Sequence, residues 1–258
     1  MRHLLIDSVT PENLGIIVSR QTVQHFQHIF VTQLITDRNF LDTAGRFGNG
    51  SLFPLYRYPS GEGSMFAATE RTANFSEKFV AALEERLGKP MNEGFTPEEV
   101  LYWWYAVLHS REYRLRYGEF LKIDFPRVPL PSSLVAWNVL TPLGKQLVET
   151  HLMERSDLTE TVTFPERGTN IIQSVKWEDE RVYINGTQYV GGVRQEVWKM
   201  QIGGYQPAEK WLKDRKGREL SYDDVEHYRR VIASLEETLR LQDALDRAIE
   251  ELGGMSNV

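Results

Sequence analysis

Residues 96–109 read TPEEVLYWWYAVLH, and this stretch decides where the helical part of the chain lies. Thr96 is a preferred helix N-cap, Pro97 suits the first helical position, and Glu99 follows the cap by three residues. The apolar residues that follow recur at the spacing of one helix face: Leu101, Trp104 and Leu108. The pattern predicts a helix from Pro97 to about His109.

Two further helices are predicted next to this stretch. Before it, Asn74 or Ser76 can cap a helix that ends at Gly88, because their side chains satisfy free N–H groups and glycine suits the residue after a helix. After it, Ser110 can cap a segment that runs to about Phe120. The helical region therefore covers much of the middle of the chain.

Extended and helical patterns then alternate towards the C-terminus. The prolines of residues 124–131 predict extended chain, since each proline disfavours helix in the residue before it. A helix is predicted from Pro142 to about Met153. A long helix is predicted over 221–252, where apolar residues keep a spacing of three and four.

Strand patterns lie on both sides of the helical region. Runs of β-branched and aromatic residues predict strands at 14–19, 28–32 and 51–59. Pro54 places the last of these at a sheet edge, because proline has no N–H to donate. A second strand region covers 169–202.

The second strand region contains a hairpin signal, Asn185-Gly186. Residues 197–202 are predicted as a further strand. The order of strands, helices, strands and a long helix indicates an α+β fold with short mixed or antiparallel strands. No linker or repeat interrupts the chain, which favours a single domain over 1–258. Its predicted parts are a strand-rich 1–70, a helical 71–155, a β-hairpin region at 160–205 and the long helix 221–252.

The composition is that of an ordinary globular protein. Of 258 residues, 41% are hydrophobic and 26% are charged, which is enough apolar material for a core. No apolar run approaches the length of a membrane span, and the first residues do not form a signal peptide. The lack of cysteine excludes disulfides and thiolate zinc sites and fits a cytoplasmic protein.

The net charge of −6 hides an uneven distribution. Residues 219–258 hold ten acidic residues against four arginines, so the remainder of the chain is neutral on balance. Within that remainder, residues 194–218 carry seven basic and three acidic residues. Because a local basic segment can attract phosphate, the acidity of the whole chain does not exclude a nucleic-acid partner.

The motifs of a self-contained enzyme are missing from the sequence. It has no Gly-x-x-x-x-Gly-Lys-Ser/Thr phosphate loop, no Gly-x-Gly-x-x-Gly and no Gly-x-Ser-x-Gly. It also lacks Asn-Pro-Pro-Tyr, with which amino-methyltransferases hold an extruded adenine. His25 and His28 form the one close histidine pair, and on a strand they face opposite sides without a third ligand. The sequence predicts no metal site and no catalytic residue.

Three segments could contact nucleic acid. In 102–117, arginines alternate with tyrosines and could bind phosphates or stack on bases, or they could pair with Glu112 and Glu119 around a structural core. In 202–218, two glycines permit close backbone approach and several cations follow, although a turn with a charged loop explains the same pattern. The loop 46–50 could enter a groove or could simply be mobile.

Several segments, taken together, resemble a known family. They are NLGIIVSRQ at 13–21, HIFVT at 28–32, DRNF at 37–40, LFPLY at 52–56, YAVLHS at 105–110, EYR at 112–114, FLKIDFPRVP at 120–129 and QIGGYQPAEKWLKDR at 201–215. In this order they resemble the C-terminal specificity region of Type ISP restriction–modification enzymes and of related adenine-N6 DNA methyltransferases. The two longest motifs are the specific ones.

The resemblance implies that the catalytic activities belong to other modules of a longer polypeptide. Members of the family are long polypeptides with a nuclease, a helicase-like ATPase, a methyltransferase and, last, a target-recognition domain, and this chain resembles only the last part. S-adenosylmethionine, ATP and Mg are expected in the other modules and no cofactor in this chain. Met1 is expected to lie inside the parent domain. The family usually has proline at the position of Arg111, so the helix here is expected to be more continuous.

The resemblance predicts sequence-specific recognition of double-stranded DNA, beside a methyltransferase module that flips the target adenine. No membrane partner is expected. Base readout is assigned to Arg46, Asn49 and Gln206, since amide and guanidinium groups can pair with base edges. The cations assigned to the DNA face are Arg111, Arg114, Arg116, Lys122, Arg127, Lys213, Arg215, Lys216 and Arg218. They are predicted to converge on one electropositive wall.

Two other functions remain open from sequence. A protein-interaction module would use the same aromatic and basic residues, but duplex DNA would not compete for it. An enzyme in its own right would transfer a labelled methyl group from S-adenosylmethionine, and no such transfer is expected. The long acidic helix 221–252 is predicted to pack on protein rather than on DNA.

Overall fold

A computed structural model gives the fold and describes residues 13–21, 26, 29–34, 36, 50–58, 71–202 and 205–258. The chain divides into two compact units. Unit 1 comprises Met1–Val148 and Gln242–Val258, and unit 2 comprises Glu149–Leu241. The single domain over 1–258 stays a prediction, and the two units are described one at a time.

Unit 1 contains a three-stranded antiparallel sheet. Its strands are β1 (Gly15–Ser19), β2 (Ile29–Thr32) and β3 (Gly50–Pro54), in the order β2-β1-β3. All five residues of β1 are buried, as expected of a central strand. Pro54 closes an edge strand, which confirms the prediction made from its missing N–H. A two-residue ladder follows, formed by β4 (Tyr56–Arg57) and β5 (Thr72–Ala73).

Helices follow the strands in the predicted order. They are α1 (Glu77–Leu87), α2 (Pro97–His109), α3 (Arg111–Arg116), α4 (Gly118–Leu121) and α5 (Leu134–His151). Ser76 caps α1 and Gly88 ends it. Ser110 ends α2 with extended dihedrals and caps α3, so the more continuous helix expected from Arg111 is wrong.

The start of α2 is fixed by a complete capping box. The Glu99 backbone N–H donates to Thr96 Oγ1 at 3.2 Å, and the Thr96 backbone N–H donates to Glu99 Oε2 at 2.8 Å. Replacing Thr96 with alanine leaves one of these N–H groups without its acceptor. We expect Thr96→Ala to lower the free energy of unfolding by about 1 kcal/mol in a urea titration. Thr96→Ser keeps the hydroxyl, so an equal loss in both variants would contradict this role.

Helix α5 begins two turns earlier than its proline suggests. Pro142 was the predicted first residue, but it lies inside the helix. Ser133 makes the start, because its side chain accepts from the Ala136 backbone N–H at 3.1 Å. Ala136 and Leu140 are fully buried, and the burial of this face offsets the hydrogen bond that proline cannot donate.

Helices α2 and α5 pack closely inside unit 1. The indole rings of Trp103 and Trp137 stack at 5.7 Å between centroids. Further along α5, a Cβ built on Gly144 would lie 1.9 Å from the Tyr102 carbonyl oxygen and 3.1 Å from the Ala106 Cβ. The two backbones therefore approach each other where α5 carries no side chain.

Unit 2 contains a second small antiparallel sheet. Its strands are β6 (Lys176–Glu178), β7 (Arg181–Tyr183) and β8 (Tyr189–Gly191). The helices that follow are α6 (Gln195–Lys199), α7 (Pro207–Lys213) and α8 (Tyr222–Glu251), the last ending near the predicted residue 252. Residues 242–251 of α8 belong to unit 1. A short 3-10 turn occupies Ser156–Thr161 in unit 2, and another occupies Met255–Asn257 in unit 1.

The strand predicted at 197–202 is wrong, because Gln195–Lys199 forms helix α6. Val197 is fully buried and belongs to the same apolar cluster as Ala208 and Leu212 of α7. Tertiary packing thus overrides the strand preference of a β-branched residue. The α+β class, the antiparallel strands and the long C-terminal helix are confirmed.

A network of buried side-chain amides supports the strands of unit 2. Gln188 Nε2 donates to Asn170 Oδ1 at 2.7 Å, and Asn185 Nδ2 donates to Gln188 Oε1 at 2.9 Å. Gln188 Oε1 also accepts from the Asn170 backbone N–H at 2.8 Å. Because buried amides are costly when unpaired, this network holds residues 170 and 185 in place.

Candidate nucleic-acid interface

The predicted contact residues fall into three groups in the structure. Arg46 and Asn49 lie outside the described residues. Arg111, Arg114, Arg116, Lys122 and Arg127 belong to unit 1, and Gln206, Lys213, Arg215, Lys216 and Arg218 belong to unit 2. The single electropositive wall stays a prediction.

Two of the unit 1 cations are paired with carboxylates. Arg111 Nη1 lies 2.6 Å from Asp243 Oδ1 and 3.5 Å from Asp246 Oδ2. Lys122 Nζ lies 2.7 Å from Glu119 Oε1. Both cations are partly exposed, so a phosphate would have to compete with the acids for them.

The Arg114 guanidinium forms a hydrogen bond within unit 1. Its Nε donates to the Leu108 carbonyl oxygen at 2.7 Å, close to the end of α2. Burial lowers the pKa of Arg114 to about 10, while the neighbouring Tyr105 and Asp246 act in the opposite direction. Arg114 stays positively charged at neutral pH, and its Nε is already used to satisfy a helix carbonyl.

Arg116 and Arg127 are the remaining predicted cations of unit 1, and both are exposed. Arg116 Nη1 donates to Ser256 Oγ at 3.0 Å, a neutral partner. Arg127 is exposed, and its carbonyl oxygen accepts from the Tyr113 hydroxyl at 2.7 Å, which fixes its backbone. Its charge contributes to lowering the pKa of Asp124, after the larger effects of hydrogen bonds from the Phe125 backbone and from Arg20. Arg20, which sequence reasoning did not select, pairs with Asp124 at 3.1 Å.

The predicted contact cations of unit 2 lie on a turn between α7 and α8, residues 213–218, here called the basic turn. Lys213 at its start is paired with Glu209 at 2.9 Å. The Arg215 guanidinium stacks on the Trp211 ring at 3.8 Å and also donates to the Trp211 carbonyl oxygen. Lys216 and Arg218 are exposed, and among the described residues neither forms an ion pair.

The C-terminal end of the basic turn is bound through its backbone to one residue of unit 2. The Gly217 N–H donates to the Ile172 carbonyl oxygen at 2.8 Å, and the Ile172 N–H donates to the Arg218 carbonyl oxygen at 3.0 Å. Gly217 has φ +82°, a left-handed conformation that favours glycine. The turn is therefore a fixed platform from which Lys216 and Arg218 extend into solvent.

Gln206 lies at the N-terminal end of α7, beside a shallow groove of about 340 Å³. The groove is also lined by Gln201 and Tyr205 and by two ion pairs, Lys210 with Asp214 and Lys213 with Glu209. Tyr205 is 45% exposed, and the Lys210 ammonium lies 5.3 Å from its ring centroid. Amides beside an exposed aromatic ring can hydrogen-bond and stack on a base.

Sequence reasoning selected Gln206 but missed Gln201 and Tyr205, which share its groove. All three lie within the motif at 201–215, so their closeness in sequence was the available signal. Gly203 and Gly204, within the same motif, lie outside the described residues.

The described residues contain neither a group of metal ligands nor a membrane-spanning helix. In that part of the chain, no three His, Asp or Glu side chains are grouped as metal ligands. His25 and His28 lie outside it. No helix among the described residues is long and apolar enough to cross a membrane.

Comparison with protein families identifies the chain. The model of the Type ISP C-terminal specificity domain matches residues 1–244. The chain belongs to this family. A comparison with curated proteins finds no match.

Three solved structures are similar to the Type ISP specificity domain described here. The ATP-dependent Type ISP enzyme LlaBIII bound to DNA has a TM-score of 0.67 and 19% identity over 90% of this chain and 16% of its own. A nuclease-deletion mutant of the Type ISP enzyme LlaGI, with a DNA substrate mimic, has a TM-score of 0.61 and 16% identity over 91% and 18%. The DrdV–DNA complex has a TM-score of 0.65 and 18% identity over 95% and 25%.

The Type ISP specificity domain therefore shares its fold with these proteins. It spans between 16% and 25% of their lengths. At these identities the likeness concerns the fold alone.

Proposed function

We propose that this Type ISP specificity domain recognises a short sequence in double-stranded DNA for a restriction–modification adenine-N6 methyltransferase and nuclease. The catalytic modules, with S-adenosylmethionine, ATP and Mg, lie outside this chain, in the cytoplasm. The methyltransferase module is the protein partner and flips the target adenine. The three similar structures were solved with DNA or a DNA mimic, which supports this partner.

The basic turn is the observation that carries the proposal. Lys216 and Arg218 project from a backbone bound to Ile172, and no described carboxylate is paired with either of them. Cations on a fixed backbone contact phosphates with a smaller ordering cost, since only their side chains must be immobilised, and they set the register of the protein on the duplex. Gln206 and Tyr205 line a groove near α7 in the same unit, which supports a base contact there.

Lys216→Ala tests the contact with phosphate. We expect the variant to bind every duplex more weakly and its log–log salt dependence to have a slope smaller by about 1, because one counterion fewer is released. Fluorescence anisotropy of labelled duplexes over a range of salt concentrations measures both effects. Base specificity should stay unchanged.

Lys176→Ala is the matched control for this experiment. Lys176 is an exposed lysine of the same unit, on β6, and it is paired with Glu178 at 2.8 Å. We expect the control to keep the wild-type slope. An unchanged slope in Lys216→Ala would remove this residue from the interface, and no duplex binding by the wild-type chain at low salt would contradict the proposed function.

A protein-interaction module is the competing function. It predicts binding that duplex DNA does not displace and that depends little on salt. The basic turn favours DNA, because its unpaired cations are suited to a polyanion. A methyl-transfer assay with labelled S-adenosylmethionine is expected to be negative for this chain alone.

A further inference from the structure

The N-terminal part of α8 differs from the rest of this acidic helix. Arg230 is exposed, and among the described residues it forms no ion pair. Two acids at this end of the helix are already engaged: Glu226 pairs with Arg229 at 2.6 Å, and Asp224 accepts hydrogen bonds from the backbone and hydroxyl of Ser221. The third turn of α8 therefore presents an exposed guanidinium in a helix of acidic composition.

Packed aromatic rings connect this arginine with the basic turn. Arg215 stacks on Trp211 at 3.8 Å, and the Trp211 ring lies 5.7 Å from the His227 ring. His227 precedes Arg230 by three residues, so the two side chains are neighbours on one face of α8. Arg215 and Arg230 thus flank the same pair of rings, and both belong to unit 2.

The backbone of the turn links Arg218 to Arg215. The Arg218 backbone N–H donates to the Arg215 carbonyl oxygen at 3.0 Å.

The pKa shifts of His227 and Asp224 show that the charges of Arg215, Arg218 and Arg230 act on this part of unit 2. Burial lowers the pKa of His227, and the positive charges of Arg230 and Arg215 lower it further. Hydrogen bonds from Ser221 lower the pKa of Asp224, with additional lowering by Arg215 and Arg218.

We infer that Arg230 is a further DNA-contacting residue and that Arg215, Lys216, Arg218 and Arg230 form one cationic surface for the phosphate backbone of a duplex. This inference rests on the proposed function and extends it to α8. It differs from the sequence prediction that the acidic helix packs only on protein. The charge of the surface comes from the four cations.

A polyanion is the partner that fits this surface. Its cations come from two segments, the basic turn and α8, that Trp211 and His227 hold together. Such a surface can follow consecutive phosphates of one strand, and each contact adds to the salt dependence of binding. A protein partner with a single acidic side chain would need only one of these cations.

Arg230→Ala, Arg230→Lys and Arg247→Ala test the inference in the full chain. Arg247 is an exposed arginine of the same helix, roughly 25 Å further along its axis. We expect Arg230→Ala to raise the Kd for duplex DNA several-fold and to reduce the salt slope by about 1. Arg230→Lys keeps the charge and should keep the slope, and Arg247→Ala should behave as wild type. Alanine is favourable in an exposed helix, so all variants should fold.

The outcomes separate the inference from the proposed function. If Lys216→Ala changes the slope and Arg230→Ala does not, the inference fails and the proposed function stands. If Arg230→Ala and Arg247→Ala reduce the slope equally, the effect is one of total charge and the local surface is overturned. If the wild-type chain binds no duplex, the proposed function fails and the inference fails with it.

Discussion

Replacing Trp103 with alanine is expected to lower the free energy of unfolding by about 3–5 kcal/mol, a large share of the stability of an ordinary domain. Trp103 is 1% exposed, stacks on Trp137 and donates from Nε1 to the Pro129 carbonyl oxygen at 3.0 Å. The substitution removes one of the two stacked indoles of the α2–α5 contact and leaves a cavity. Urea denaturation followed by far-ultraviolet circular dichroism measures the loss.

Trp103→Phe separates the two contributions. It keeps an aromatic ring against Trp137 but cannot donate to Pro129, so we expect a loss clearly smaller than that of Trp103→Ala. Equal losses would mean that ring packing contributes nothing. The same variant also tests Arg127. The hydrogen bond from Trp103 to the Pro129 carbonyl oxygen fixes the extended segment that carries Arg127. If Arg127 contacts phosphate, Trp103→Phe should therefore weaken DNA binding.

Gly144→Ala is expected to be the next most damaging change, with a loss of roughly 3 kcal/mol, at the upper end for overpacking. The added methyl group would overlap the Tyr102 carbonyl oxygen, which is backbone and cannot rotate away. Helices α2 and α5 would have to separate, and their stacked indoles would lose contact. The same urea titration gives the loss.

Gly118→Ala is the control for that change. Gly118 lies in α4, and nothing is within 4 Å of a Cβ placed on it. We expect this variant to be as stable as wild type or slightly more stable, because alanine favours helix over glycine. If both glycine variants were equally stable, the close approach of α2 to α5 would not exist in solution.

The helix boundaries show how far local sequence rules reach. The starts of α1, α2 and α3 were predictable because Ser76, Thr96 and Ser110 cap with their own side chains. The start of α5 was not, because Pro142 is usually read as a beginning, whereas here the cap at Ser133 and the buried face of α5 outweigh it.

The predicted site shows a different limit. The pair of Lys122 with Glu119 and that of Lys213 with Glu209 could be anticipated, since three or four residues separate the partners on a helix. The pair of Arg111 with Asp243 could not, because 132 residues separate them. Which cations stay unpaired depends on such long-range contacts, and residue type alone does not give them.

The role of Arg114 illustrates the same limit. Arginine alternating with tyrosine is typical of a phosphate-binding helix, but the Arg114 Nε donates to Leu108 within unit 1. Conversely, Arg230 was not predicted as a contact residue, because it lies in the acidic helix α8. Average charge over a segment does not reveal how its acids are engaged, as the Glu226–Arg229 pair demonstrates.

The two backbone hydrogen bonds between Ile172 and residues 217 and 218 have an evolutionary consequence. They involve main-chain atoms only, so they persist whatever side chains occupy positions 216 and 218. Mutation can therefore exchange those side chains one at a time while the loop keeps its path. Substitutions at these two positions therefore need no compensating changes in the core.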